Sequence, residues 1–258
     1  MLRGKKIVVG ITGGIAAYKT TFLVRLLVKE GAEVKVILSK EAQQFVTAQS
    51  LSVLSKNEVV VDFFDANLNW NNHVALAEWA DLMLIAPLTA NTLAKMAYGL
   101  CDNVLLATYL SLRTTCVVAP AMDLEMYRHI TVSDNLAKIK QRGNLVIPPG
   151  TGELASGLVG EGRMAEPEEI LDFLLKHLAS NAPLNGKRIL INAGPTYEAI
   201  DPVRFIGNRS SGKMGIELAE CCARLGGAVT LVLGPSAFTP KNPLITVVHV
   251  ESGKQMHA

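Results

Sequence analysis

Residues 6–39 read KIVVGITGGIAAYKTTFLVRLLVKEGAEVKVILS, and this stretch decides the fold. Its opening apolar run, residues 6–10, suits a strand in a parallel sheet covered on both faces. Gly10-Ile11-Thr12-Gly13-Gly14-Ile15-Ala16 is the turn. Residues 17–30 follow a helical period, with Phe22, Leu23, Leu26 and Leu27 on one side. Gly31 takes the C-cap role, and residues 33–39 form a second strand. A dinucleotide fingerprint needs glycine where Thr12 stands and an acid where Ser39 stands. The turn therefore suits a phosphate and a polyol chain, met by backbone N–H groups and the Thr12 hydroxyl at a helix N-terminus. A tight strand-to-helix turn without a ligand is the competing reading.

The same alternation continues outward. Strands are expected at 59–63, 82–86, 115–119 and 145–147, and helices at 41–54, 74–80, 91–98, 103–110, 133–142 and 167–179. Residues 148–163 read as a long glycine-rich loop. The expected fold class is α/β: a doubly wound, Rossmann-like parallel-sheet domain over residues 1–180, with ligand sites at the carboxyl ends of its strands. SNAPLNG (180–186) reads as a linker. A second α/β unit over residues 181–258 follows, with strands at 187–193, 228–233 and 246–250 and a helix at 212–225. Its 70-odd residues are few for an independent parallel sheet, so it is expected to be truncated or to rely on another chain.

Composition narrows the function classes. The chain has 258 residues, 49% hydrophobic and 19% charged, which supports a substantial core and excludes general disorder. A formal net charge of +2 gives no reason to expect nucleic acid or an anionic membrane as main partner. Cys101, Cys116, Cys221 and Cys222 show no C-x-x-C spacing, which argues for reduced thiols in a cytoplasmic setting and against a structural zinc site. The basic, then apolar N-terminus flows into the glycine turn and reads as a first strand, not a signal peptide.

His73 stands alone as a titratable group at a helix start, and a lone histidine is more often structural than catalytic. Thr89-Ala90-Asn91-Thr92 places small hydrogen-bonding groups after a strand; an N-cap cluster alone would explain it. Gly207-Asn208-Arg209-Ser210-Ser211-Gly212-Lys213-Met214 nearly matches a Walker A loop, but Met214 replaces the residue that would hold magnesium. A basic, serine-rich turn at a helix N-terminus still suits phosphate.

Together these motifs resemble the homo-oligomeric flavin-containing cysteine decarboxylases. The resemblance rests on GITGGIAAYK (10–19), HVALAEWAD (73–81), PLTANT (87–92), PAMDLEMY (120–127) and GELASGLVGEGRM (152–164). NAGPTYEAIDPVRFIGNRSSGKMG (192–215) is similar to the start of phosphopantothenate–cysteine ligases, an order resembling the bifunctional flavoproteins of coenzyme A biosynthesis. The resemblance implies FMN held by Gly13, Gly14, Ile15, Ser39, Thr89, Ala90, Asn91 and Thr92. It implies FMN-dependent decarboxylation of 4′-phospho-N-pantothenoylcysteine to 4′-phosphopantetheine: oxidation to a thioaldehyde, loss of carbon dioxide, then reduction of the enethiol. It makes His73 catalytic, and Asp123 and Ser156 the groups at the substrate's carboxylate and at the final reduction. It also implies a homo-trimer or a multiple of trimers, up to a dodecamer, with FMN and substrate at subunit interfaces. For the second unit it implies CTP and Mg2+, with Asn208, Ser210, Ser211, Gly212 and Lys213 at the nucleotide and substrate. Two positions depart from the family pattern: Asp123 stands in place of asparagine and Ser156 in place of cysteine. An ionised Asp123 cannot donate a hydrogen bond to a carboxylate, so it either binds protonated or strains the departing group. Ser156 is a far weaker acid than a thiol. A peptidyl-cysteine decarboxylase and a flavin-binding regulatory subunit without turnover are the alternatives; the ligase-like unit argues against the first and His73 against the second.

Overall fold

The computed structural model describes residues 2–65, 67–180 and 182–258. The chain divides into two compact units, Leu2–Leu175 and Lys176–Ala258.

In the first unit the order is β1 (Lys6–Ile11), α1 (Thr20–Lys29), β2 (Glu33–Leu38), α2 (Ala48–Ser55), β3 (Val59–Val60), α3 (His73–Trp79), β4 (Leu82–Leu88), α4 (Ala90–Tyr98) and α5 (Val104–Leu110). Then come β5 (Thr115–Pro120), α6 (Leu124–Arg128), α7 (Ile130–Gln141), β6 (Leu145–Val146), β7 (Gly150–Glu153), β8 (Val159–Arg163) and α8 (Pro167–Ser180), whose last residues fall in the second unit. The first six strands form one sheet in the order β3-β2-β1-β4-β5-β6, with every pairing parallel. This is the doubly wound order, reversing direction between β1 and β4. Every residue of β4 is buried, which a strand covered by helices on both faces requires. Val8, Met83 and Ile85 pack with Leu93, Leu106 and Ile139 from the helices, and the alternate residues Val9 and Leu84 are equally buried.

Local chemistry explains the element ends. Asn72, Thr89 and Asn103 cap α3, α4 and α5, each accepting a first-turn backbone N–H with its side chain. Gly99 closes α4 in the left-handed conformation at φ 74°. The register of β4 on β5 shifts between Ile85 and Leu88, around the cis Ala86–Pro87 bond.

Several expectations need correction. The helix expected over 41–54 is a short 3-10 turn, Glu41–Gln44, followed by α2. Thr47 breaks it by capping α2, accepting from the Ser50 N–H. Phe22 is 60% exposed rather than packed with Leu23 and Leu27. The glycine-rich loop over 148–163 is an antiparallel hairpin, β7 on β8. Helix α6 had no periodic signal, being five residues long.

The second unit contains β9 (Arg188–Ala193), β10 (Tyr197–Ala199), β11 (Phe205–Gly207), α9 (Lys213–Arg224), β12 (Ala228–Leu233), β13 (Thr246–His249) and α10 (Gly253–His257). Strands β13-β12-β9 form a parallel sheet, and β10 pairs with β11 in a hairpin the sequence reading missed. One face of the parallel sheet packs Ile191, Ala193 and Leu231 against Ile216 and Ala219 of α9. The other exposes Leu190 at 73% and Val248 at 43%. Within the expected linker, Asn181 lies outside the described residues, and Leu184 donates its N–H to the Leu225 carbonyl.

Candidate functional site

The doubly wound order opens a crevice where the strand order reverses, at the carboxyl ends of β1 and β4. A cavity of about 710 Å³ sits there. The turn after β1 contributes Gly13, Gly14 and Ile15, the end of β2 contributes Ser39, and the turn into α4 contributes Thr89, Ala90, Asn91 and Thr92. All eight residues expected at a cofactor thus line one cavity. Asp123, after β5, lines it too. The β7–β8 hairpin supplies Leu154, Ala155 and Arg163 to the wall.

The two glycines of the first turn serve different purposes. A Cβ at Gly13 would lie 2.5 Å from the Glu41 Cβ, so packing demands glycine there. At Gly14 it would meet only the Thr89 Cγ2 at 3.6 Å, an ordinary contact. Nothing in the protein requires glycine at this second position; its bare backbone lies open to the cavity. Helix α4 begins beside it, and first-turn N–H groups of a helix lack intrahelical acceptors. An anionic group fits this corner, and the apolar wall beyond it, with Ile15, Met122 and Met164, suits a flat heteroaromatic ring. The residues present therefore fit a flavin nucleotide.

Thr12 does not serve the ligand as its sequence position suggested. Its side chain is buried and donates to the Pro87 carbonyl at 2.7 Å, while accepting the Thr89 N–H at 3.1 Å. Both hydrogen bonds join the turn after β1 to the turn after β4, fixing the two cavity walls against each other.

The hairpin closes on the residues after β5. Met122 donates its N–H to the Gly162 carbonyl at 3.0 Å. Gly162 has φ +142°, and a Cβ there would lie 2.3 Å from the Met122 carbonyl oxygen. At Gly160 a Cβ would fall 2.6 Å from Leu124 Cδ1. These glycines permit backbone contact with residues 122–124. Lys19 is buried in the wall, with its Nζ 2.6 Å from Glu166 Oε1; Arg163 Nη2 lies 3.2 Å from the same oxygen. One carboxylate thus engages both cations of the wall. Sequence reading missed Lys19, Arg163 and Glu166: the Lys19–Glu166 pair spans 147 residues and leaves no local signal, whereas Arg163 and Glu166, three residues apart, are a pair that local spacing could have shown.

His73 and Ser156 are not among the residues lining the cavity. The His73 ring packs edge-on to Phe63 and Trp70, with centroids 5.9 and 6.0 Å away. Its Nδ1 is buried without a hydrogen-bond partner. Ser156 sits exposed in the hairpin turn, where the Gly157 N–H bonds to the Leu154 carbonyl at 2.9 Å. The thiol of Cys116 is fully buried, and burial pushes its pKa up, so it stays protonated and unreactive. Burial, then the nearby Glu161 carboxylate, raises the Tyr127 phenol.

In the second unit, Asn208, Ser210, Ser211 and Lys213 are exposed around the N-terminus of α9, and Gly212 is buried. Gly212 has φ +76°, and a Cβ there would lie 3.2 Å from the Gly194 backbone. Ser236 Oγ donates to the Ser211 carbonyl at 2.8 Å, and Asn208 Oδ1 accepts the Ser210 N–H at 2.9 Å. The five residues are thus one turn-and-helix corner. Among the described residues no group of three or more His, Cys, Asp or Glu is placed to hold a metal ion. No described helix is long and apolar enough to cross a membrane.

Comparison with known proteins agrees with this geometry. Residues 1–179 match the flavoprotein family, and residues 184–258 match the DNA/pantothenate metabolism flavoprotein C-terminal domain. A cysteine/cysteine sulfinic acid decarboxylase from an unknown prokaryotic organism is 54% identical over 216 residues, covering 82% of this chain and 60% of the relative. The coenzyme A biosynthesis bifunctional protein CoaBC of Bacillus subtilis is 42% identical over 259 residues, covering 99% of this chain and 64% of the relative. The chain thus spans about three fifths of the length of these curated relatives. Among solved structures, a mutant PPC decarboxylase complexed with pantothenoylaminoethenethiol has a TM-score of 0.60 at 32% identity, over 68% of this chain and 98% of the other. The FMN-binding protein AtHal3 also has a TM-score of 0.60 at 32% identity, over 70% of this chain and 100% of the other. With this fold, this cavity and both matches in this order, the chain belongs to the flavoprotein family and has the arrangement of the bifunctional CoaBC proteins.

Proposed function

We propose that this chain binds FMN in the cavity at the β1–β4 crevice and decarboxylates 4′-phospho-N-pantothenoylcysteine to 4′-phosphopantetheine, in the cytoplasm, as a step of coenzyme A biosynthesis. The observation that carries the reading is the convergence of Gly13, Gly14, Ile15, Ser39 and Thr89–Thr92 on one cavity that also holds Asp123. FMN, when bound, accepts two electrons from the thiol end of the substrate and returns them after carbon dioxide has left. The protein's own part is placement. The turn of Gly13 and Gly14 and the start of α4 offer backbone N–H groups to the phosphate. The hairpin walls one side of the cavity with Leu154, Ala155 and Arg163.

His73 is the proton acceptor in this reading, and a neighbouring subunit presents it. Two exposed apolar patches support such an assembly. Ile15 and Tyr18 line the cavity at 60% and 51% exposure; Trp70, edge-on to His73, is 54% exposed, and Leu68, two residues from Trp70 in the chain, is 82% exposed. A head-to-tail contact that repeats around a ring, as in a trimer or a dodecamer built from trimers, would seat one patch on the other. The second unit is assigned to CTP- and Mg2+-dependent ligation of phosphopantothenate to cysteine, through Asn208, Ser210, Ser211, Gly212 and Lys213.

The purified protein is expected to show a flavin absorption band and to release carbon dioxide from phosphopantothenoylcysteine. His73→Asn is expected to keep the band and to lower kcat by about 10²–10⁴, the range of a lost general base. A colourless protein unable to take up FMN would sink the proposal. A second reading, decarboxylation of free cysteine or its sulfinic acid, draws on the name of the 54%-identical relative, and Asp123 favours it.

A further inference from the structure

We propose that Asp123 is the specificity-determining residue that admits a cysteine carrying a free α-ammonium group, so that the flavin-loaded protein also converts L-cysteine to cysteamine. This rests on the flavin cavity proposed above.

Asp123 is rigidly placed yet chemically unused. It stands at the N-cap of α6 without capping that helix through its side chain. Its backbone is fixed on both sides: the Met122 N–H bonds to Gly162, and the Asp123 carbonyl accepts the Tyr127 N–H at 2.9 Å. Leu124 beside it is buried under Gly160. Among the described residues, the Asp123 carboxylate has no hydrogen-bond or ion-pair partner, although it lines the cavity. A half-buried carboxylate without a partner is costly, and a cation arriving with the ligand offsets that cost.

The rest of the wall points to the same ligand charge. Its cations, Lys19 and Arg163, both engage Glu166. Glu41 and Glu153, also on the wall, form no ion pair among the described residues. The protein therefore offers Asp123 no positive partner of its own. In an N-acylated cysteine the nitrogen beside the carboxylate is a neutral amide and gives a neutral hydrogen bond. In free cysteine it is an ammonium and gives a charge-assisted one, roughly twice as strong. The net reaction is redox-neutral and of the same type: the Cα–carboxylate bond breaks, carbon dioxide leaves and one proton replaces it at Cα, with a bound flavin supplying a reversible two-electron couple.

The test uses the flavin-loaded full chain, wild type and Asp123→Asn, with L-cysteine and phosphopantothenoylcysteine as substrates and mass-spectrometric detection of the thiol products. Calorimetric binding of two unreactive thiols, cysteamine and N-acetylcysteamine, supplies a readout independent of turnover. Wild type is expected to form cysteamine and to bind cysteamine more tightly than its N-acetyl form. Asp123→Asn is expected to lose about tenfold or more in kcat/KM for L-cysteine, the scale of a charge-assisted hydrogen bond, and the ratio of kcat/KM for L-cysteine to that for phosphopantothenoylcysteine should fall by at least that factor. The difference in binding between the two thiols should vanish with it. Asp123→Glu, which restores the charge, should recover part of the cysteine activity. Wild type that acts on phosphopantothenoylcysteine but not on cysteine overturns this inference alone, as does a variant losing both activities equally. A flavin-loaded protein inert toward both substrates overturns the underlying cavity reading as well.

Discussion

A threonine in a glycine turn can hold a ligand or hold the turn itself, and Thr12 does the second. Its hydroxyl bridges Pro87 and Thr89, more than 70 residues away, so no local pattern could have revealed it. Losing it leaves the Pro87 carbonyl and the Thr89 N–H without their partner in a dry place. Thr12→Val is expected to cost about 1–3 kcal/mol in unfolding free energy and to weaken FMN retention through the shifted Thr89 turn. Denaturant titration and flavin release on dilution would check both; unchanged stability would show that water replaces the hydroxyl. Gly13 and Gly14 teach a related lesson. Both look alike in sequence, yet only Gly13 is required by a neighbour, Glu41.

At the scale of elements, the glycine-rich stretch was the hardest to read. Glycine is depleted in strands, so 148–163 looked like a loop. The β7–β8 hairpin carries its glycines because its backbone lies against Met122 and Leu124, and a side chain would collide. Gly162→Ala is expected to lift the hairpin off Asp123. The mirror-region φ and the clash together should cost about 1–3 kcal/mol or more, and KM should rise about tenfold with a smaller change in kcat. Limited proteolysis should cut the hairpin turn of this variant faster than wild type. An intact hairpin and unchanged KM would show that Met122 yields instead. The helix expected over 41–54 failed for a simpler reason: periodicity ran through Thr47, whose side chain caps a new helix rather than continuing the old one.

At the scale of the molecule, the cavity and His73 belong to the same unit but not to the same pocket. The site proposed to be shared between subunits predicts this, and complementation tests it. His73→Asn alone should turn over at about a hundredth of the wild-type rate or less. Gly14→Val alone should lack flavin, because its side chain enters the cavity without disturbing the fold. In mixed oligomers, a cavity from the first variant can meet His73 from the second, and about a quarter of the sites should recover activity under random mixing in a head-to-tail ring. Mixtures that stay inactive while subunits exchange would place His73 and the cavity in the same subunit's service.

The sequence by itself determined the strand and helix alternation, the parallel sheet and the two turns, after β1 and before α4, that border the crevice. Those features rest on apolar runs, glycine turns and capping residues, which act over a few positions and are written locally. The second α/β unit was legible for the same reason, in β9, α9 and β12. Only the tertiary structure decided the use of each group. It gave Thr12 to the turn, both Lys19 and Arg163 to Glu166, and left the Asp123 carboxylate without a partner. It also set His73 and Ser156 outside the cavity. The Thr12 hydrogen bonds and the Lys19–Glu166 ion pair join residues far apart in the chain, and their partners exist only once the strands have brought the turns together.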